Sequence, residues 1–391
     1  MSSAADIAPS ASPARTRLSR VDELDVVRVL TFACVIAVHV IGEATSNSRT
    51  AGGFLVLLHF TREAFFWLTG FVLVLNYGRR HLQLARFWRR RFQLVGIPYL
   101  LWSLGYCLLD RVASSGRTPS WPGGVVQDVL YGTAWYHLYF LLVTLQVYLL
   151  FPLLAALLRA TARHHVALLV VSGALEVAVL TGLHWTTPWS SWQAGFNEHQ
   201  NVLIWNYQFW VISGGVAAWH VDGLRDWLSR HRRATAVGCA LAACVTLGYY
   251  VSQLDIGVTP TTASAVLQPI TILCTAAAVL TMFLLGQRYA QLPANQSLRR
   301  MVDTASDRSF AVFLVHPAFI WFFPRIDHGW GAAHVNNVLY VIGLYVAVLA
   351  ASVVTAEVLR RIPLSLVLTG RPMLRRSRVR VRTSSAGPRS A

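Results

Sequence analysis

Apolar stretches long enough to cross a bilayer recur from one end of this chain to the other, and no soluble fold tolerates that pattern. Hydrophobic residues fill 55% of the 391 positions and charged ones only 13%, about half the share usual in a soluble protein. Ten spans can be drawn, near residues 25–42, 54–76, 93–110, 134–158, 165–184, 202–220, 235–253, 263–286, 309–325 and 336–359. The expected fold is all-α: a polytopic integral membrane protein of about ten transmembrane helices.

The net charge of +17 would suggest nucleic acid as a partner in a soluble chain, but here the distribution of charge explains it and no nucleic acid is expected. Every basic residue is arginine, and alternate connections carry them. One side receives the N-terminus, the 79–91 loop, Arg159, Arg163, the 225–233 and 288–308 loops and the C-terminal tail. The other receives only Arg49, Arg111, Arg117 and Arg325. The positive-inside rule then gives N-in and C-in, in the plasma (inner) membrane. Trp121, Trp135, Trp185, Trp189 and Trp192 cluster on the arginine-poor side, as an aromatic belt or a sugar-stacking surface. No apolar region precedes residue 24, so no cleavable signal is expected and the first span serves as insertion signal. Three segments follow: a disordered basic tail at 1–21, a membrane domain at 22–362 and a basic, disordered tail at 363–391. The five cysteines fall within apolar spans without C-x-x-C spacing, so neither disulfides nor a metal site are indicated.

The first span, Asp25-Val-Val-Arg28-Val-Leu-Thr-Phe-Ala-Cys-Val-Ile-Ala-Val-His39, carries an arginine and a histidine on one helix. Eleven positions turn the helix through three full turns plus about 20°, so both side chains share a face, roughly 16 Å apart along the axis. Ionisable groups at such depth are costly unless they face a bundle interior or a wet cavity. Arg28 and His39 therefore read either as a phosphate-seeking cation and a titratable base at opposite depths, or as an anchor and a snorkelling side chain.

Further ionisable groups recur within the spans. In the second, Arg62 and Glu63 are neighbours expected to point in different directions, while His59 and Glu63 share a face. Glu63 is thus the candidate carboxylate partner of His39 or His59, or half of an interfacial ion pair. The basic loop ends in Arg89-Arg90-Arg91, suited to anionic headgroups or to a polyphosphate ligand. His137 opens the fourth span, and His316 precedes Pro317 in the ninth, where a missing N–H frees a carbonyl one turn back and a helix break is expected. Glu176 is buried in the fifth span with no evident partner.

Five motifs occur in order: the Arg28-to-His39 line, Phe65-Phe-Trp-Leu-Thr-Gly-Phe71, the basic loop ending in Pro98-Tyr99, Trp135-Tyr-His-Leu-Tyr, and Ser309-Phe-Ala-Val-Phe-Leu-Val-His316. Together they resemble the membrane acyltransferase-3 family, over residues 22–362. Thr69 stands where a serine is usual, and Phe310 and Phe313 where tyrosines are common, which removes tyrosine hydroxyls from the ninth span. Some relatives carry an added soluble esterase-like domain; none is expected here.

The resemblance implies transfer of an acyl group, foremost acetyl, from cytoplasmic acyl-CoA to a hydroxyl of a cell-envelope glycan or a hydrophobic, macrolide-like natural product. The inner arginines Arg89, Arg90 and Arg91 would take the CoA phosphates, with the pantetheine arm beside Arg28. His39 would be the general base, with Glu63 assisting. His59, Arg62, His137 and His316 would line the site. No metal and no bound cofactor are implied, acyl-CoA being a co-substrate. The rival readings are a transporter or flippase for a polysaccharide precursor, and a structural partner in envelope assembly.

Overall fold

The computed structural model of the chain describes residues 22–45, 47–80, 82–113, 123–185, 199–293, 295–327, 331 and 337–374. The N-terminal segment, Trp121, Trp189, Trp192, the side chain of Trp185 and the tail from residue 375 lie outside the described residues. Among the described residues every regular element is helical.

Helix α1 (Asp22–Ala44) is followed by α2 (Arg49–Leu58) and α3 (Phe60–Tyr77), which meet at His59. The short amphipathic α4 (Leu84–Arg91) runs through a π turn (Phe92–Gly96) into α5 (Ile97–Ala113). Next come α6 (Gly123–Tyr131), α7 (Tyr139–Ala160) and α8 (His165–Trp185). Two 3₁₀ turns (Gln200–Val202 and Ile204–Tyr207) lead into α9 (Gln208–Trp219). The long α10 (Val221–Asp255) bends at His231, where φ is −107° and ψ 20°. The chain closes with α11 (Pro260–Ala263), α12 (Ile270–Gln291), α13 (Gln296–Ile326), α14 (Asn337–Leu359) and α15 (Ser365–Thr369).

Nine helical stretches among the described residues are long and apolar enough to cross a membrane. The protein is therefore an all-α, polytopic membrane protein, and the shortfall from the ten drawn on the sequence lies at 202–220. There only α9 is α-helical, and its 12 residues span about 18 Å, little more than half of a bilayer's hydrocarbon core. Trp210, Val211, Gly214, Gly215, Val216 and Ala218 of α9 are buried. The 3₁₀ turns before it bury Gln200, Val202, Asn206 and Tyr207, and irregular backbone survives at membrane depth only where protein or a wet cavity covers it.

Glycine explains how α9 fits. A Cβ on Gly214 would stand 2.0 Å from the Trp67 carbonyl oxygen of α3, and one on Gly70 would stand 2.2 Å from that of Val211. The two helices cross backbone to backbone, and any side chain at either glycine would push them apart. Helix α1 packs along α12, α13 and α3, so it runs through the interior of the bundle. Arg28 and His39 each border a cavity lined by neighbouring helices.

Two further local expectations differ. Helix α13 does not break at Pro317 but continues to Ile326. Beyond residue 362, where the tail was expected to begin, α15 packs against α5 and α13. Arg360 is 4% exposed and donates to the Pro372 carbonyl, while the Leu374 amide donates to the Arg360 carbonyl at 2.8 Å.

Candidate functional site

Two cavities follow one another along α1. The first, of about 320 Å³, is bordered by His39, Glu43, His59, Arg62, Tyr136 and Tyr139. The second, of about 170 Å³, is bordered by Arg28, Thr69, Arg91, Tyr148, Ser306 and Arg371. The helical period that places Arg28 and His39 on one face thus gives each residue its own cavity, one at each end of the same line.

Around His39 the structure gathers histidines from three elements. The His39 ring lies 5.5 Å from that of His316 on α13, and His316 lies 5.6 Å from His137 in the turn before α7. Tyr136 packs on the other side of His39, at 4.5 Å between ring centres.

Pro317 accounts for the state of His316. Having no N–H, Pro317 leaves the Phe313 carbonyl without its helical donor. His316 Nδ1 lies 2.7 Å from that oxygen. A carbonyl only accepts, so Nδ1 carries the proton and Nε2 is left as an acceptor. That Nε2 is buried and has no hydrogen-bond partner, and neither ring nitrogen of the fully buried His137 has one. The carbonyl freed by the proline therefore does not break the helix; it sets a tautomer.

Arg62 and Glu63 do not point apart as expected. Arg62 Nε and Nη2 lie 2.9 and 2.5 Å from Glu63 Oε1, with both residues about 4% exposed. Adjacent Cα–Cβ bonds diverge by about 100°, but the long arginine side chain curls back across that gap. Arg62 also donates to Asn201 Oδ1 (3.2 Å) and to the Val266 carbonyl (3.1 Å), and its guanidinium lies over the Tyr207 ring. Glu63 Oε1 is thus held by Arg62, and Oε2 has no partner. The carboxylate bonds neither His39 nor His59, and Arg62, not Glu63, borders the His39 cavity. His59 reaches that cavity from the joint between α2 and α3, its Nδ1 buried and without a partner.

At the other end, Arg28 donates to Ser306 Oγ at 2.9 Å and pairs with Asp25 at 3.3 Å. Of the arginine triplet, only Arg91 joins it. Phe87 and Arg91 lie one turn apart on α4, and that face turns inward. The Arg91 guanidinium lies 5.4 Å from the Tyr77 and Tyr148 ring centres, and Arg89 and Arg90 are exposed. The third cation is Arg371, from the segment expected to be a disordered tail. Asp307 pairs with it at 3.8 Å and with Arg360 at 2.8 Å, fixing the return of the chain. Gly370 makes that return possible: its φ is 61°, and a Cβ there would meet the Leu94 carbonyl oxygen at 2.3 Å. A glycine at a helix end, followed two residues on by Pro372, was the signal available in the sequence.

Glu176 also finds its partner: Gln208 of α9 donates to its Oε2 at 3.3 Å. That pair ties α8 to α9, and Glu176 borders neither cavity. No group of three His, Cys, Asp or Glu side chains among the described residues has a metal-holding arrangement.

Every residue named in the two cavities except Arg371 lies within the match to one family. A family model described as an acyltransferase domain matches residues 21–357. No curated protein and no solved structure matches the chain.

Proposed function

Because the chain belongs to the acyltransferase-3 family of membrane O-acyltransferases, we propose that it moves an acyl group, foremost acetyl, from acyl-CoA to a hydroxyl of a glycan or hydrophobic acceptor, with His39 as base. The observation that carries this reading is the pair of cavities on one face of α1, with three arginines at one end and His39 at the other. Guanidinium groups are matched to phosphate oxygens by geometry as well as charge. Arg28, Arg91 and Arg371 then hold the CoA phosphates, and the pantetheine arm extends along α1 towards His39.

The acceptor hydroxyl enters the His39 cavity. Neutral His39 takes its proton as the oxygen attacks the thioester carbonyl carbon. A tetrahedral intermediate forms, the C–S bond breaks, and the thiolate leaves with the proton returned by the His39 imidazolium. The products are the ester and free CoA, and no charge remains on the protein. His316 borders neither cavity, so it acts on the reaction through His39, whose ring lies 5.5 Å from its own, and its fixed tautomer helps to orient that base. The compensated Arg62–Glu63 pair gives the cavity a polar wall with little net charge, suited to a hydroxylic acceptor.

The test is release of thiol from acetyl-CoA by the purified protein in lipid nanodiscs, with polysaccharide from the host envelope as acceptor. Thiol release and acetylated product are expected to appear together and to vanish in His39→Ala with acyl-CoA binding retained. Substrate flux that persists in His39→Ala with no acylated product would support transport instead.

A further inference from the structure

Four phenylalanines stand between the two cavities. Phe32 and Phe65 border the cavity of Arg28, and Phe140 borders that of His39. Phe313 closes the gap between them: its ring centre lies 5.6 Å from Phe32, 6.5 Å from Phe65 and 5.9 Å from Phe140. Phe65 in turn lies 6.0 Å from Phe32 and 5.9 Å from Phe140. These are the edge-to-face and offset-stacked distances at which aromatic rings attract one another. Phe32, Phe140 and Phe313 are 7%, 5% and 2% exposed, and Phe65 is half-buried where it borders the Arg28 cavity. The assembly is drawn from α1, α3, α7 and α13, the helices that carry the site residues themselves.

We propose that these four rings form a closed septum that seals the protein and selects which acyl groups reach His39. The selecting half rests on the acyl-CoA reading above; the sealing half does not.

Sealing follows from what the septum separates. A cluster of arginines on one side and three histidines on the other would, if joined by water, form a proton path through the bilayer. None of the four rings bears a hydroxyl or ring nitrogen, so nothing in the septum hands on a proton, and a constriction of apolar rings excludes water. Selection follows from the same packing. The thioester arm must part the rings to bring its carbonyl to His39, and each further methylene on the acyl group must be accommodated among them. A hydrophobic site that cannot accept an added methylene discriminates by roughly tenfold or more.

Two measurements on the intact protein decide the proposal. In the first, wild type, Phe313→Ala, Phe65→Ala/Phe313→Ala and the control Phe283→Ala are reconstituted into liposomes holding a pH-sensitive dye. A potassium diffusion potential then drives protons. Phe283 is also buried among aromatic rings, Trp67 and Phe71, but borders neither cavity, so it reports generic loosening. Proton entry is expected to rise severalfold in the septum variants over both wild type and control. Folded septum variants as tight as wild type, or a control that leaks equally, overturn the seal.

The second measures thiol release from acetyl-, butyryl- and hexanoyl-CoA. Wild type should fall steeply with chain length, and Phe313→Ala should reduce the acetyl-over-hexanoyl preference by roughly tenfold or more. An unchanged length profile overturns the selecting half. If wild type releases no thiol from any acyl-CoA, the acyl-CoA reading fails and selection falls with it, while the proton measurement still decides the seal.

Discussion

Arg28 and His39 share a face of α1 but stand in different cavities, so their loss should damage the reaction in different ways. A histidine that acts only in the transition state, once replaced by alanine, lowers kcat and kcat/KM together by ~10²–10⁴-fold with donor KM little changed. Arg28→Ala should act mainly on the acyl-CoA KM, by about the 1.5–3 kcal/mol of a charged hydrogen bond, and Arg28→Gln should recover part of it. Steady-state kinetics on both variants checks this; equal kcat losses at unchanged donor affinity would place Arg28 at the reacting atoms and end the division of labour. Protonated imidazole cannot take the acceptor proton, so wild-type kcat should also fall on the acid side. Pro317 yields a second prediction. Pro317→Ala supplies a backbone N–H to the Phe313 carbonyl, which then competes with His316 Nδ1 for it. The helix gains a hydrogen bond while His316 loses its fixed tautomer, so melting temperature should hold or rise while kcat falls severalfold at unchanged donor KM. A fall in both would show that the proline matters only for packing.

Elements bring together what single residues cannot. Helix α4 is polar along most of its surface and buries only Phe87, yet that one anchor decides which arginine faces the protein. Neutralising Arg91 should therefore weaken acyl-CoA binding by roughly ten- to a hundredfold, the equivalent of about 1.5–3 kcal/mol. Neutralising Arg89 and Arg90 together should leave binding nearly unchanged. Titration calorimetry in nanodiscs distinguishes the two, and equal losses would reduce all three to headgroup anchors. From the sequence the three arginines are equivalent, because the inward face of an eight-residue helix depends on what packs beneath it. The opposite holds for the Arg28–His39 line, which needs only the helical period and was fully legible. The Arg62–Glu63 pair was not, because the curl of a long side chain follows no period. The short α9 reads as a full span in the sequence because its composition is as apolar as that of its neighbours. Only the backbone contact at Gly70 and Gly214 reveals that it is enclosed by protein.

For the whole molecule the class was plain in the sequence, since runs of apolar residues leave few alternatives, and the order of the five motifs pointed to the family. If the arginine-rich connections face inward and the short α9 segment crosses with its 3₁₀ turns, the 225–233 loop lies inside, which is testable in a cysteine-free background. A cysteine at Ser48 should react with an impermeant maleimide on intact cells, whereas cysteines within 225–233 should react only after permeabilisation. Labelling of both from the same side would overturn the N-in, C-in arrangement and with it the assignment of the Arg28 cavity to the cytoplasm.

The ion pair between Arg371 and Asp307 has a consequence for the order of events during synthesis. Helix α1 is made long before Arg371, so the cavity beside Arg28 lacks its third cation until the segment past α14 has left the ribosome and folded back. A nascent chain, with its His39 cavity already assembled, still lacks the grip that would hold a charged donor. A protein ended after residue 362 should accordingly insert and accumulate, yet bind acyl-CoA more weakly than wild type. Full-strength binding by such a truncation would mean that Arg28 and Arg91 suffice. Residues 363–374 thus act as a completion signal: the donor grip closes only after the membrane helices before it have been made.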